Sequence, residues 1–508
     1  MREESFDVVV VGGGGSGLAA ALSAAERGLE VVLLEKRPAL GGTTGIAVGS
    51  FTASGTSLQR AAGIDDDAEL HAEDAARFAP ADIERRGNTD LRRFFLRHAG
   101  ATFEWMRSFG LEFHGPSPEP PNRVARMHNV VPSAKAYIAT LQAALVRRGG
   151  TVICGASVEE LLRDGHDGGR IRGVVADVNG TRRSFEARRG VVLAAGDYAG
   201  SSELIARHAG EEFREIEGIQ PFATGEGQLL VASAGGALVN MDVVYGPELR
   251  LVPPSRRPFL QLLPASGWAA RLAGRLLPLV PRAVVHRLIK RLLVTWQHPE
   301  TALFDDGAIL VNRRGERFCD ETRWPEREIA VSKEEGKCAF IVLDGRLVER
   351  YSAWPHFVST APEIAYAYVA DYLRLRPDVA VEGATLAAAC ARSGLPSVAV
   401  ERTVGEWNGV ASERAVDAFG RAAPPVGLAR GPWVILGPAK AYFTTTEGGA
   451  AIDERFRVLD EGGEPIPGLY AVGQNGLGGQ ILWGHGLHIA WALTSGRLVG
   501  EELARVGG

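Results

Sequence analysis

The first 35 residues contain a strand, a glycine turn, a helix and a second strand, and this succession constrains the fold most strongly. The first strand is FDVVVV at 6–11, the turn is GGGGSG at 12–17, and the second strand is VVLLE at 31–35. An alanine-rich stretch with helical composition joins the turn to the second strand. A GxGxxG pattern in this context is the fingerprint of an α/β domain that binds a dinucleotide. An ordinary glycine-rich turn is the alternative.

Each residue of the fingerprint has its own task. Gly12 forms the tight turn, Gly14 lets the backbone approach a pyrophosphate, and Gly17 lets the helix pack on the strand. A helix that starts near Ser16 would present its N-terminal amides to the pyrophosphate. Glu35, which closes the second strand, would accept a hydrogen bond from a ribose hydroxyl. The sequence therefore predicts an adenine-dinucleotide site.

Length and composition limit the class of protein. The 508 residues are enough for two domains, and the net charge of -5 gives no overall attraction to nucleic acid. The first strand leaves no room for a signal peptide, and no apolar run is long enough to span a membrane. The cysteines lie far apart without CxxC spacing, which predicts neither disulfides nor a metal site: Cys154, Cys319, Cys338 and Cys390. These features favour a cytoplasmic protein.

One segment departs from the average charge. Residues 250–299 contain nine Lys or Arg residues and no acid. Apolar pairs recur every four residues from 284 to 296, with basic residues between them, which predicts a basic amphipathic helix. An ordinary surface helix is one interpretation. A peripheral membrane contact through 265–296, or an entrance for a hydrophobic substrate, is the other.

Two further segments favour a flavin over a nicotinamide. The segment PALGGTTG at 38–45 follows the second strand, and GLYAVGQ at 468–474 comes more than 400 residues later, before a predicted helix at 489–504. A nicotinamide domain is one continuous piece, so a returning C-terminal segment fits the isoalloxazine end of FAD. A helix that starts near Gly486 would direct its N-terminal amides at the flavin and stabilise negative charge there.

These motifs resemble the flavoproteins of the fumarate reductase and succinate dehydrogenase superfamily, in the soluble branch that also holds the 3-ketosteroid dehydrogenases. The resemblance covers essentially the whole chain, and its further matching segments are 191–196, 225–227, 298–299, 312–318 and 447–449. It implies an α/β fold with a discontinuous, Rossmann-like FAD-binding domain at 1–295 and 442–508. An α+β capping domain at 296–441 would be inserted, with the active site between the two.

The resemblance also implies which residues contact FAD. Thr43, Thr44 and Gly45 would line the inner face of the flavin, and Val158 would bind adenine through its backbone. The other expected contacts lie in both parts of the FAD-binding domain: Lys36, Gly196, Glu226, Thr445, Gly473, Gln474, Gly486, His488 and Ile489. Covalent members carry a linking histidine near the GGTT motif, and the segment 41–45 has none. FAD is therefore expected to bind noncovalently.

The substrate side matches the fumarate reductases only in part. Their two histidines and two arginines hold a dicarboxylate, and one arginine donates the proton. His298 matches one histidine, and Arg327 is a plausible match for the catalytic arginine, with Arg323 as its rival. Thr444 stands where the second histidine is expected, and Trp483 where the second arginine is expected. A carboxylate there would lose charge-assisted hydrogen bonds worth roughly 2 kcal/mol each, so fumarate and succinate are expected to be poor substrates.

Two other side chains are candidates for proton transfer. His485 lies between Gly484 and Gly486, and with an ordinary pKa of about 6.5 it could act as acid or base at neutral pH. A purely positioning role is the alternative. Tyr442 stands just before the threonine run and is either catalytic or part of the packing at the domain junction. Tyr245 lies in the segment that leads to the basic helix.

The sequence thus predicts an FAD-dependent oxidoreductase that acts on a CH–CH or C=C bond beside a carbonyl. The substrate would be mainly apolar, for example steroid-like or polycyclic, and the electron donor or acceptor is unknown. One alternative is a small monocarboxylate held by His298 and Arg327. Another is a non-catalytic flavoprotein scaffold whose amphipathic segment binds a membrane or a partner.

Overall fold

The computed structural model describes residues 2–165, 168–254, 290–291, 293–295, 298–361, 365–424 and 426–506. Its largest sheet has eight strands: β1 (Arg2–Val11), β2 (Val31–Glu35), β6 (Thr151–Cys154), β7 (Ala156–Arg163), β8 (Ile171–Val178), β9 (Thr181–Leu193), β22 (Arg457–Leu459) and β23 (Pro465–Ala471). β1 pairs in parallel with β2 and β9, and its valines are fully buried because helices cover the sheet. The expected α/β class is confirmed.

The C-terminal segment returns to this sheet. β23 pairs in parallel with β9, with Leu469 opposite Val191. The helix after the fingerprint, α1 (Gly15–Ala25), packs against the last helix, α15 (Leu487–Arg505). The two backbones come so close that a Cβ on Gly496 would lie 2.3 Å from the Ser16 carbonyl oxygen. The domain that contains the large sheet is therefore discontinuous in sequence, as expected.

Thirteen further α-helices lie within the described residues. They are α2 (Ser57–Ala61), α3 (Ala68–Ala75), α4 (Ala81–Glu84), α5 (Thr89–Ser108), α6 (Lys135–Arg147), α7 (Ser202–His208), α8 (Glu226–Ser233), α9 (Ala302–Asp305), α10 (Glu326–Lys333), α11 (Gly345–Arg350), α12 (Val369–Leu375), α13 (Leu386–Ser393) and α14 (Ser397–Glu413). Side-chain caps begin several of them, such as the Asn88 carboxamide oxygen at α5 and the Ser201 hydroxyl at α7.

A second sheet of six strands has its own core. Its strands are β10 (Glu217–Gly218), β13 (Glu248–Leu251), β14 (Ile309–Val311), β15 (Ala339–Leu343), β18 (Ala380–Gly383) and β19 (Trp433–Phe443). All pairings are antiparallel except β10 with β19. This sheet draws on strands at 217–251 as well as on the segment 296–441. The boundaries of the two domains stay a prediction.

Four small sheets pair further segments of the described residues. β3 (Ser50–Thr52), β4 (Glu112–Ser117) and β5 (Met127–Val131) form one of them. The others are two-stranded ladders: β11 (Leu238–Val239) with β21 (Gly449–Ala450), β12 (Val244–Tyr245) with β20 (Thr445–Thr446), and β16 (Ser359–Ala361) with β17 (Ala365–Ala367). The β12–β20 ladder places Tyr245 opposite Thr445.

Most of the predicted basic helix lies outside the described residues, so its helix and its contacts stay predictions. At its described end, the Lys290 ammonium lies 2.8 Å from a carboxylate oxygen of Asp371. Among the helices that the structure describes, none is both long and apolar enough to cross a bilayer.

Candidate active site

A groove at the carboxyl ends of β1 and β2 collects the fingerprint and its neighbours. Most of the predicted cofactor contacts line it: Gly12, Gly14, Ser16, Glu35, Lys36, Thr43, Thr44, Val158, Gly196, Glu226 and Gln474. The groove thus joins the first strands, the 3-10 turn at 44–46, the β7 strand and the last loop. This grouping fits one extended ligand that crosses the end of the sheet.

The glycines of the groove fall into two kinds. A Cβ on Gly12 would lie 2.3 Å from the Ala194 carbonyl oxygen, and one on Gly17 would lie 1.9 Å from the Gly12 oxygen, so both permit tight packing. At Gly14 the nearest atom to such a Cβ is a Gly42 Cα at 3.9 Å, and at Gly196 nothing lies within 4 Å. Their missing side chains leave space that a dinucleotide backbone fits.

The polar groups of the groove suit pyrophosphate and ribose. No side chain caps the N-terminus of α1 at Gly14, so its first amides remain available for an anion. The Glu35 carboxylate is held by two backbone amides, at 2.7 Å from Gly13 and 2.9 Å from Arg37. Each of its oxygens keeps a lone pair that a ribose hydroxyl could use. The residues present therefore fit FAD.

Two contacts connect the segment after β2 with the segment before α8. The Lys36 ammonium donates to the Thr224 hydroxyl and to a Glu226 carboxylate oxygen, both at 2.8 Å. The Arg37 guanidinium carbon lies 4.2 Å from the centroid of the Phe222 ring. These contacts hold two walls of the groove together, so Lys36 and Glu226 act there as a pair.

A chain of polar side chains lies beside the groove. The Gln474 amide donates to the Thr445 hydroxyl at 2.9 Å, and that hydroxyl donates to Asp197 at 3.2 Å. The His488 Nδ1 lies 3.0 Å from the side-chain amide oxygen of Gln474. The Nε2 of the same ring lies 3.1 Å from a carboxylate oxygen of the buried Glu447. Burial raises the pKa of Asp197 to about 6. This chain brings Thr445, Gln474 and His488 together.

The other expected cofactor contacts have packing roles in the structure. A Cβ on Gly473 would lie 2.6 Å from the Ser16 hydroxyl, so Gly473 lets the last loop approach α1. Gly486 is the left-handed N-cap of α15, and a Cβ there would lie 2.8 Å from the Thr52 hydroxyl. Gly45 and Ile489 are half-buried near these elements. The cofactor role of these four residues stays a prediction.

His485 is held by a carboxylate that the sequence reasoning missed. One oxygen of Glu119 accepts the His485 backbone amide at 2.9 Å and lies 2.5 Å from its Nδ1. Glu119 is 4 % exposed, whereas 60 % of the His485 side chain is exposed. The hydrogen bond to Glu119 raises the pKa of His485, and partial burial opposes this shift. Among the described residues, none forms a hydrogen bond with its Nε2, which is therefore available to a substrate.

A second group of charges lies near His485. One oxygen of Glu248 accepts the Arg250 guanidinium at 2.5 and 2.9 Å and the Thr444 hydroxyl at 3.2 Å. Burial would raise the pKa of Glu248, but Arg250 and His298 lower it more, and the net shift is downward. His298 therefore belongs to this group. Both Glu248 and Arg250 also act electrostatically on His485.

Tyr245 and Trp483 form the aromatic part of the site. Their ring centroids lie 5.2 Å apart in an edge-to-face arrangement. Burial raises the pKa of the Tyr245 hydroxyl, and the nearby carboxylates of Glu248 and Glu119 raise it further. The hydroxyl is thus protonated at neutral pH and can donate a hydrogen bond. No described residue accepts one from it.

Tyr442 is paired with Glu248, but among the described residues it forms no ring contact with Tyr245 or Trp483, and its catalytic role stays a prediction. Its side chain lines another cavity, together with Glu217, Lys337 and one face of Arg250. β19 carries Tyr442 opposite Glu248 on β13 and Glu217 on β10. Burial raises the pKa of Tyr442 to about 12. Tyr245, in contrast, packs edge-to-face against Trp483, which lies two residues before His485.

Arg327 does not join the cluster either. It is buried in α10, and its guanidinium donates to a Glu328 oxygen at 2.6 and 3.0 Å and to the Glu321 carbonyl at 3.0 Å. It also lies over the Phe304 ring at 4.9 Å. Its rival Arg323 is exposed and lies 3.6 Å from Asp320. Arg327 is thus bound within the second sheet's surroundings, whereas Arg323 is largely exposed, and a role of either arginine as a substrate cation stays a prediction.

The chain is similar to flavoprotein reductases and dehydrogenases over its whole length. The model of the FAD-binding domain family matches residues 7–257 and 265–481. Fumarate reductase (cytochrome) of Shewanella frigidimarina is 26 % identical over 510 residues, which cover 99 % of this chain and 77 % of that protein. The chain belongs to the FAD-binding domain family.

Solved structures show the same fold. The open conformation of a flavocytochrome c3 fumarate reductase matches with a TM-score of 0.73 and 24 % identity, over 99 % of this chain and 78 % of that one. The 3-ketosteroid delta1-dehydrogenase of Sterolibacterium denitrificans matches with a TM-score of 0.66 and 18 % identity, over 99 % and 100 %. The expected flavoprotein family and its cofactor FAD are confirmed, and the ketosteroid dehydrogenase structures share the fold. The protein is an FAD-dependent oxidoreductase.

Proposed function

We propose that this enzyme forms or reduces a C=C bond beside a carbonyl group in a mainly apolar substrate, with His485 as the proton-transferring group. The observation that carries the proposal is the cluster of His485, Glu119 and Tyr245. His485 offers an exposed Nε2, and Tyr245 offers a protonated hydroxyl, and both lie near the same buried carboxylate. A base and a hydrogen-bond donor are the two groups that removal of a proton next to a carbonyl requires.

In this mechanism each side chain has one task. The Tyr245 hydroxyl donates to the carbonyl oxygen of the substrate and stabilises the negative charge that develops there. His485 Nε2 takes the proton from the α-carbon during oxidation, or returns it during reduction. The edge-to-face pair of Tyr245 and Trp483 provides an apolar wall. Bound FAD supplies the acceptor or donor of the hydride at the β-carbon.

The charges of the site argue against a dicarboxylate. Arg327 is buried and bound to Glu328, so it has no donor directed at a substrate. Arg250, the arginine that interacts with His485, donates to Glu248. A substrate carboxylate would have to compete with that internal carboxylate for the guanidinium. An uncharged ketone needs no cation, so it can bind without competing with Glu248 for the guanidinium.

A panel of compounds tests the proposed function under anaerobic conditions. Saturated cyclic ketones should bleach the flavin absorption band of the oxidised enzyme, and matching enones should restore it after chemical reduction. Fumarate and succinate should do neither at millimolar concentration. Rapid turnover of fumarate or of a small monocarboxylate would overturn the proposal. A flavin that responds to no compound of the panel would favour the scaffold alternative.

A matched pair of tyrosine variants sharpens this test. Tyr245→Phe should lower the rate of flavin bleaching by a ketone by about 10²-fold, since one donor to the developing oxyanion is lost. Tyr442→Phe is the control, because its hydroxyl lines the other cavity, and its effect should remain within about threefold. A larger loss of rate in Tyr442→Phe than in Tyr245→Phe would indicate that Tyr442 is the catalytic tyrosine.

A further inference from the structure

Glu119 is the residue that determines the geometry of His485. It lies in the loop between β4 and β5, more than 360 residues before its partner. A single oxygen receives both the backbone amide and the Nδ1 of His485. The amide fixes the carboxylate relative to the loop, and the carboxylate then fixes the plane of the ring. The second oxygen is buried, and no described residue forms a hydrogen bond with it.

This arrangement selects one tautomer. A carboxylate oxygen can only accept, so the ring nitrogen 2.5 Å from it must carry a proton. In the neutral ring that proton resides on Nδ1, and Nε2 keeps its lone pair. In the charged ring Nε2 also carries a proton, which it can give away. In both states Nε2, the nitrogen without a protein partner, is the atom that can exchange a proton with a substrate.

We infer that Glu119 is a positioning residue that pairs with His485 and holds it in the Nδ1–H tautomer, so that Nε2 is the atom that exchanges a proton with the substrate. The inference rests on the proposed function, in which His485 transfers the proton. It adds to that function a carboxylate–imidazole unit, formed by two distant segments of the FAD-binding domain.

The other charges near His485 do not replace Glu119. Glu248 also favours the charged ring, but Arg250, which binds Glu248 directly, opposes it. The hydrogen bond to Glu119 is the largest cause of the upward shift in the pKa of His485. Loss of the Glu119 charge should therefore lower this pKa and favour the neutral ring.

The test measures the titration of His485 without a substrate. Diethyl pyrocarbonate modifies only the neutral imidazole, and peptide mass spectrometry reports the modification of each histidine as a function of pH. In Glu119→Gln, which can still accept from Nδ1, the midpoint for His485 should fall by about one pH unit or more. His114, exposed on β4, is the internal control, and its midpoint should remain the same. An unchanged midpoint at His485 would overturn the inference.

A second variant separates charge from the support of the loop. Glu84 binds Arg92, and Arg92 donates to the Ile481 carbonyl at 3.2 Å, so this pair supports the same loop without touching His485. Glu84→Gln should leave the His485 midpoint unchanged. A shift as large as that of Glu119→Gln would mean that loop displacement alone changes the titration, and it would overturn the role of Glu119.

Kinetics on an active ketone complete the test. Glu119→Gln, which keeps the acceptor for Nδ1, should move the pH–rate curve of flavin bleaching in the same direction as the modification curve, because the neutral ring is the form that takes the proton. Glu119→Ala, which loses the fixed tautomer, should reduce the rate by about tenfold. A shifted midpoint together with no activity on any ketone would support Glu119 and reject the proposed function. Normal rates in both variants would reject the role of Glu119 alone.

Discussion

The cofactor groove and the cluster around His485 meet at the last loop and α15, but they are built from different chemical groups. The groove consists largely of glycines, backbone amides and the start of α1, with Lys36 and Glu226 as its internal ion pair. The cluster consists of side chains from β12, β13 and two loops, and most of them are charged or aromatic. FAD binding in the groove should therefore be lost when a side chain is added there. Proton transfer in the cluster should be lost when a side chain is removed or neutralised.

The largest effect is expected in the groove. Gly14→Val should abolish FAD binding, because its side chain would enter the space above Gly42 where the pyrophosphate is expected. The chain should still fold, because no protein atom lies within 3.4 Å of the added Cβ. Gly405→Val, at an exposed and equally open helical position, is the control and should retain FAD. The flavin absorbance of the purified proteins measures the difference, and FAD retained by Gly14→Val would contradict this account of the groove.

A smaller effect, on stability, is expected away from both regions. Arg327→Met should lower the free energy of unfolding by about 3 kcal/mol, since it leaves the buried carboxylate of Glu328 without its partner. Burial already raises the pKa of Glu328 although Arg327 is present. The double variant with Glu328→Gln should recover part of the loss. Denaturant unfolding measures both changes. An unchanged stability with a loss of ketone turnover would instead place Arg327 in the active site.

The groove was predictable because its constraints are local. The turn at Gly12 needs a positive φ of 111°, and Gly17 must bring α1 close to that turn, so both glycines are visible as a fixed spacing in the sequence. The parallel pairing of β23 with β9 could be predicted only through the resemblance to known flavoproteins. No local pattern indicates that Leu469 and Val191, which are 278 positions apart, lie on neighbouring strands.

The substrate side was predictable only in part. His485 pairs with Glu119 and His298 acts electrostatically on Glu248, while the catalytic roles of both histidines stay predictions. Glu119 carries no such signal, because an acid beside two prolines is common in surface loops. Tyr245 could be noted as a tyrosine, but its position depends on the two-residue ladder with Thr445. Arg327 matched a family arginine in sequence, yet its neighbour Glu328 binds its guanidinium.

The central claim is that His485 transfers a proton, and single-turnover flavin reduction by an active ketone tests it most directly. His485→Ala and His485→Gln should both keep FAD, and both should reduce flavin at least about 10²-fold more slowly than the unmodified enzyme. Glutamine can form hydrogen bonds but cannot carry a proton near neutral pH, so it separates proton transfer from positioning. A wild-type rate in His485→Gln would contradict the account and leave His485 with a positioning role only.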